Sequence, residues 1–420
     1  MQSHRTNWPR RFVASLGPGV VSGAADDDPS GIATYSIAGA QFGTSLLWTA
    51  LITWPLMAAV QTMCARIGMV TGRGLMAGLR QKFPRPVLVA AAGALFLANT
   101  INIGADLSGM ADAAELLTHV NSHLWVVLCG AGIGWATIRL RYAVIARVLK
   151  WLALSLLAYV ITAIHVGPDW GVVLRAGLVP SLPVGREAWA TLVAILGTTI
   201  SPYLFFWQAS QEVEEEKAAG RVTVVARRGA TADELLDRKM DVGFGTFFSN
   251  IVMFFIILTT ALTLHRHGLT HIETSKQVAQ ALEPLAGSFA TLLYSVGLIG
   301  TGMLAIPTLS GSAAYAIAET FSWRQGIDAP VQQARGFYTV VAVAMIVGVG
   351  MDFADLNPVK TLYWSAVLNG LLAPFLLAGI VITASDRKLM RGQPSSRLGR
   401  WAVGVTAVAM FVAGITMFVL

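Results

Sequence analysis

Windows of about 20 mostly apolar residues, the length a helix needs to cross a bilayer, recur near 12–40, 45–68, 86–112, 121–139, 142–166, 187–211, 241–264, 286–320, 336–352, 359–384 and 399–420. The pattern predicts eleven membrane-spanning helices. With the N-terminus inside, Lys and Arg clusters such as Arg73/Arg80/Lys82/Arg85, Arg139/Arg141/Arg147/Lys150 and Arg387/Lys388/Arg391 face the cytoplasm. Only Arg175, Arg186, Arg266, Lys276 and Lys360 are left outside, five of the 30 Lys and Arg. This is the positive-inside bias, and it supports helix number and orientation together. The C-terminus is then outside. The longest polar insertion, 214–241, lies on the basic side and predicts a short amphipathic cytoplasmic helix plus linker.

Two of the spans are interrupted. The first carries Asp26, Asp27 and Asp28 in its middle, followed at once by Pro29, Ser30 and Gly31. A carboxylate at membrane depth is costly unless it faces protein, water or a cation, and proline breaks the helical hydrogen-bond ladder. Freed backbone carbonyls beside carboxylates make a hard-oxygen cation site of the kind Mg²⁺, Ca²⁺ or Mn²⁺ selects. The competing reading is a helix that begins only after Pro29, with the aspartates in solvent as its N-terminal cap. In the sixth span Ser201-Pro202-Tyr203 interrupts an apolar run midway. Alone, Pro202 reads as a kink, which membrane helices tolerate. Paired with Pro29 at the head of spans one to five, it marks the first helix of spans six to ten, the pattern of inverted-repeat transporters with discontinuous helices meeting at the bilayer centre. The expected organisation is a cytoplasmic tail at 1–11, a five-helix repeat at 12–166, an outer loop at 167–186, a second repeat at 187–384 with a cytoplasmic loop at 213–240, and a linker with the eleventh helix at 385–420.

Composition agrees. Of 420 residues, 55% are hydrophobic and 13% charged, against roughly a quarter charged in soluble domains, and mean hydropathy is +0.62. A net charge of +7 would suit nucleic acid, but the basic residues serve topology, so no nucleic-acid partner is expected. Cys64 and Cys129 have no ligand spacing and require no chemical role. The Arg5/Arg10/Arg11 leader lacks a small-residue cleavage site and reads as a cytoplasmic tail. His119, His123, His165, His265, His267 and His271 fall in outer loops, where ordinary loop polarity accounts for them better than a metal-gathering vestibule does.

The stretch LGPGVVSGAADDDPSGIATYSIAGAQFG resembles the first transmembrane helix of the NRAMP family of divalent-metal transporters, whose motif there is Asp-Pro-Gly-Asn; here it is Asp28-Pro29-Ser30-Gly31. The family's sixth-helix Ala-x-x-Met-Pro-His corresponds to Thr198-Thr199-Ile200-Ser201-Pro202-Tyr203. Resemblance continues through Ala105-Asp106-Leu107, PTLSGSAAYAIAE at 307–319 and YWSAVLNGLLAPF at 363–375. It implies an all-α polytopic membrane protein with the LeuT-like five-plus-five inverted repeat plus an eleventh helix, helices one and six broken. It also implies a metal site of Asp28, the Thr198 carbonyl and Ser201, with Asp27, Ser30 and Gly31 beside it.

The departures carry the specificity. The soft Met is Ser201, the Asn is Gly31, and the tenth-helix position that often carries Gln is Ala366, which predicts a roomier oxygen-only site suited to a partly hydrated ion. This altered pattern resembles the NRAMP-related magnesium transporter branch. The family's sixth-helix His is Tyr203, which does not titrate near neutral pH; the ninth span holds no arginine; Asp106 lacks its partner acid because Gly109 stands there. An incomplete relay favours uncoupled uptake, with Asp26, Asp27 and Glu212 as the acids a fragmentary relay could use. The expected function is import of Mg²⁺ or Mn²⁺ across the inner membrane by alternating access, by a monomer in the lipid bilayer with no cofactor. The alternatives are a proton-coupled Mn²⁺/Fe²⁺ symporter and a Na⁺-coupled carrier of an organic solute, against whose anionic form three aspartates argue. With no HExxH, GxSxG, P-loop or paired-Cys motif, an enzyme is not expected.

Overall fold

The computed structural model describes residues 17–140, 154–354 and 356–420. The expected tail, the start of the first span, most of the basic cluster at 139–150 and the start of the fifth span lie outside these residues. All regular structure among the described residues is helical: α1 (Pro18–Asp26), α2 (Pro29–Phe42), α3 (Trp48–Thr71), α4 (Leu75–Leu79), α5 (Arg85–Thr118), α6 (Ser122–Arg139), α7 (Leu157–Val166), α8 (Trp170–Leu178), α9 (Arg186–Thr199), α10 (Pro202–Ala218), α11 (Ala232–Thr263), α12 (Ser275–Gln280), α13 (Glu283–Ala286), α14 (Ala290–Phe321), α15 (Arg335–Asp352), α16 (Pro358–Ser385) and α17 (Arg397–Val419). Among the described residues, eight segments are long and apolar enough to cross a membrane. They match eight of the eleven expected spans; the other three are broken α1/α2, the 18-residue α6, and the fifth span, of which α7 is described.

The helices pack reciprocally. In the second half α11 holds both pieces of the first broken helix, α1 and α2; in the first half α3 holds α10 of the second broken helix. Between them α5 runs along α14, and α9 lies against α16 and α17. Close approach depends on glycine, as is general for membrane helices. A Cβ at Gly23 of α1 would fall 2.3 Å from the Gly245 carbonyl oxygen of α11, and one at Gly197 of α9 would fall 2.1 Å from the Ala366 carbonyl oxygen of α16.

The polar insertion differs from expectation. No separate amphipathic helix lies at 214–241: α10 carries its Glu-rich end to Ala218, and α11 begins at Ala232 with a capping box between Thr231 and Glu234. Charged residues at both helix ends bond each other instead. Arg238 Nε lies 2.8 Å from Glu212 Oε2 and its Nη1 2.5 Å from Asp241 Oδ2. Asp241 accepts the amides of Gly17, Gly19 and Val20, a carboxylate on the N-terminal, positive end of α1. Glu212 is thus paired with Arg238 on one side and accepts Gln208 Nε2 at 2.7 Å on the other.

On the opposite side the loop histidines take structural partners. His123 Nδ1 lies 2.6 Å from Asp352 Oδ2, and His265 and His267 bond the carbonyls of Ala40 and Thr263.

Candidate cation site

Both breaks have the same local cause. A proline at the first helical position has no amide to donate and clashes with a helical predecessor, so Asp28 (φ −72°, ψ 171°) and Ser201 (φ −74°, ψ 132°) are extended. Proline alone is insufficient, because Pro55, Pro307 and Pro374 lie inside continuous helices. The residues before those three are Trp54, Ile306 and Ala373, which offer nothing to a freed backbone. Asp28 and Ser201 do.

Asp28 caps α2. Its Oδ1 accepts the Gly31 amide and the Ser30 hydroxyl, each at 2.7 Å, and its Oδ2 accepts Asn102 Nδ2 at 3.2 Å. The capping alternative raised by the sequence is thus right about the hydrogen bond and wrong about the setting, for Asp28 is 1% exposed and the helix before it, α1, is real. Asp26 and Asp27 point elsewhere: Ser249 Oγ of α11 lies 2.6 Å from Asp26 Oδ2 and 3.2 Å from Asp27 Oδ1. The helix ends at Asp26 and the chain is non-helical at Asp27 (φ −80°, ψ 53°) and extended at Asp28, so the first two acids meet Ser249 of α11 while the third meets Asn102 of α5.

The second break approaches closely. Tyr203 donates its hydroxyl to the Ala25 carbonyl at 2.8 Å, and Tyr35 lies 3.1 Å from Thr199 Oγ1. Ser201 does not cap α10; its hydroxyl turns back to the carbonyls of Gly197 and Thr198, each at 2.7 Å. The Thr198 carbonyl and the Ser201 hydroxyl, expected as two ligands, are therefore bonded to each other here. Thr198 Oγ1 is buried without a hydrogen-bond partner.

Two expectations about room are corrected. The space released at Gly31 is taken by Thr198, whose Oγ1 would lie 3.1 Å from an added Cβ. Ala366 packs in an apolar cluster with Ala194, Val193 and Met417. The tenth-span residue that reaches the site is Asn369, one turn further on: its Nδ2 donates to Asn102 Oδ1 at 3.0 Å, and its own Oδ1 is buried with no partner. Asn102 in turn donates to Asp106 Oδ2 at 3.1 Å, so one amide joins Asp28, Asp106 and Asn369. Gly109 lies against Leu362. Sequence reasoning missed Asn102, Asn369 and Ser249. The two amides were visible as polar groups within the apolar windows 86–112 and 359–384, a signal of the same kind as the acids.

Chemically, the arrangement offers one carboxylate, hydroxyl and amide oxygens, and the C-terminal carbonyl ends of α1 and α9, which favour cations. Among the described residues no three His, Cys, Asp or Glu side chains group to hold a metal; a cation here would rest on Asp28 with neutral oxygens, or with waters it keeps.

The comparisons agree with this architecture. The chain is 26% identical to the divalent metal cation transporter MntH of Deinococcus radiodurans, over 96% of this chain and 89% of the relative, and 26% identical to MntH of Yersinia enterocolitica, over 93% and 91%. In structure it is similar to a mutant form of the manganese transporter of Eremococcus coleocola (TM-score 0.73, 17% identity, 99% of this chain and 88% of that one). It is also similar to Mhp1, a nucleobase-cation-symport-1 family transporter in a closed conformation (TM-score 0.56, 17% identity, 96% and 90%). At those identities the two structures establish the fold, the LeuT-like arrangement of broken helices. The family description "Natural resistance-associated macrophage protein-like" matches residues 19–420, and with nearly the whole sequence inside that match, the chain belongs to the Nramp family.

Proposed function

We propose that this protein carries a divalent cation across the inner membrane by alternating access, that Mg²⁺ enters beside Mn²⁺, and that proton coupling is weak or absent, as in the NRAMP-related magnesium transporter branch. The observation that carries the reading is Asp28: a buried carboxylate at the meeting of two broken helices, whose partners are a hydroxyl, a backbone amide and a side-chain amide. Oxygen donors without a thioether at position 201 favour a hard ion that keeps part of its water. Weak coupling is supported by Tyr203, a phenol bonded to a carbonyl where the family's motif has His, and by Gly109, packed on Leu362 where a second acid would stand. The N-terminus is assigned to the cytoplasm from the charge bias, and the working unit to a monomer.

A second reading, a proton-coupled Mn²⁺/Fe²⁺ symporter, has one observation in its favour: Met253 Sδ lies 3.7 Å from Thr199 Oγ1, a soft sulfur beside the second break. Proteoliposome influx decides between them. Under the first reading Mn²⁺ entry falls as millimolar Mg²⁺ is added, internal pH holds steady, and Ser201→Met raises the Mn²⁺ preference while Mg²⁺ entry declines. Parent influx that ignores a large Mg²⁺ excess and acidifies the lumen establishes the second.

A further inference from the structure

A groove of about 800 Å³ lies between α3, α9 and α17, distant in kind from the polar site: its walls are Ile52 and Leu56 of α3, Leu192 and Leu196 of α9, and Val408 and Val412 of α17. That volume is within the about 300–1,000 Å³ usual for ligand sites. The groove has one charged lining residue, Arg400, in the first turn of α17, and no acid lines it beside that side chain. Arg400 Nε is buried and donates to no acceptor. A positive side chain at the mouth of an apolar groove, with one donor nitrogen unbonded, is complementary to an anion. Trp401 flanks it, and an indole at such a position marks a headgroup level of a membrane.

From Arg400 the lined face of α17 continues through Gly404 and Val408 to Val412. Twelve residues of helix rise about 18 Å at 1.5 Å each, a little more than half of an about 30 Å hydrocarbon core, so the face matches one leaflet. Gly404 opens onto free space, since a Cβ there would meet nothing within 4 Å. We propose that this groove binds one phospholipid with an anionic headgroup, the phosphate on Arg400 and an acyl chain along Gly404, Val408 and Val412. The orientation proposed above puts Arg400 at the cytoplasmic leaflet, where anionic lipids are enriched. Charge complementarity selects the headgroup, and the apolar walls exclude free phosphate as sole occupant. The assignment does not rest on the choice of transported ion.

The test is native mass spectrometry of the full-length protein, delipidated in neutral detergent and titrated with phosphatidylglycerol or phosphatidylcholine of equal chain length. One phosphatidylglycerol is expected to bind where phosphatidylcholine does not. Arg400→Gln is expected to weaken retention about 5-fold, the value of one basic contact at a membrane surface, and Arg400→Lys to restore most of it. Gly404→Leu, which adds bulk to open space, is expected to displace the lipid while the protein elutes as the parent does. This variant decides the matter if Arg400→Gln fails to fold. Equal binding of the two lipids, retention untouched by Gly404→Leu, or a parent dimer that Gly404→Leu separates would overturn the proposal, the last by giving the groove to a second copy of the chain.

Discussion

The two helix breaks share a backbone and differ in chemistry. Each has proline at the first helical position and an extended residue before it, yet Asp28 directs its side chain forward, capping α2, whereas Ser201 turns backward onto the carbonyls that end α9. The first break thus contributes a carboxyl group and the second contributes oxygen dipoles that are already occupied. A cation arriving at such a pair meets its charge partner at once. To use the carbonyls of Gly197 and Thr198 it must displace a hydroxyl, or bind them through the water it retains.

The largest expected effect is on the charged side. Asp28→Asn removes the one carboxylate aimed between the breaks, and Mn²⁺ and Mg²⁺ influx into proteoliposomes should fall beyond the about 100-fold that losing an outer-shell partner can cost. Near-parental influx in that variant would mean that the first break is not the site. Asn102→Leu comes next, since it strips a donor from Asp28 and Asp106 and an acceptor from Asn369 together. A loss of about 10–100-fold in apparent metal affinity is expected, and a titration of influx against Mn²⁺ concentration with parental affinity would show the amide to be only packing.

Gly197→Leu asks whether the second break needs the same close backbone contact as the first. Overpacking against the Ala366 carbonyl should cost about 1–3 kcal/mol, read as a lowered Tm in detergent; an unchanged Tm would place the α9–α16 approach outside what stability requires. The smallest effect belongs to Pro202→Ala. The amide it restores lies at a helix N-terminus where no intrahelical acceptor exists, so influx should stay within about 3-fold of the parent, a margin of under 1 kcal/mol. A collapse of transport would show that proline, and not the packed junction of α9 with α2 and α16, keeps this helix broken.

Part of the site was legible in the sequence because membranes make polar residues conspicuous. Asp28, Pro29 and Pro202 stand out against apolar neighbours, and the bilayer's intolerance of an unsatisfied charge gives them meaning from the sequence alone. Direction was not legible. Asp26, Asp27 and Asp28 are adjacent in sequence, yet two face Ser249 and one faces Asn102. Counting lost side chains also misjudged space: Gly31 is filled by Thr198, and Ala366 faces an apolar cluster while Asn369 reaches inward. The 214–241 stretch misled for a related reason, since charged residues at the ends of long helices have the same composition as a separate surface helix.

By itself the sequence determined that this chain is a membrane-embedded helical protein, where its spans lie, and that the first and sixth are broken around an acid and a serine. Those are consequences of solvent and local chemistry: apolar length set by bilayer thickness, and a proline preceded by a side chain that bonds the freed backbone. The tertiary structure alone decided which of three aspartates meets Asn102, that Asn102 links it to Asp106 and Asn369, and that Ser201 and Thr198 satisfy each other. Such pairings depend on the rotation and approach of helices far apart in sequence, made close by glycine contacts such as Gly23 on Gly245. No window of the chain encodes that rotation by itself, because it belongs to two surfaces at once.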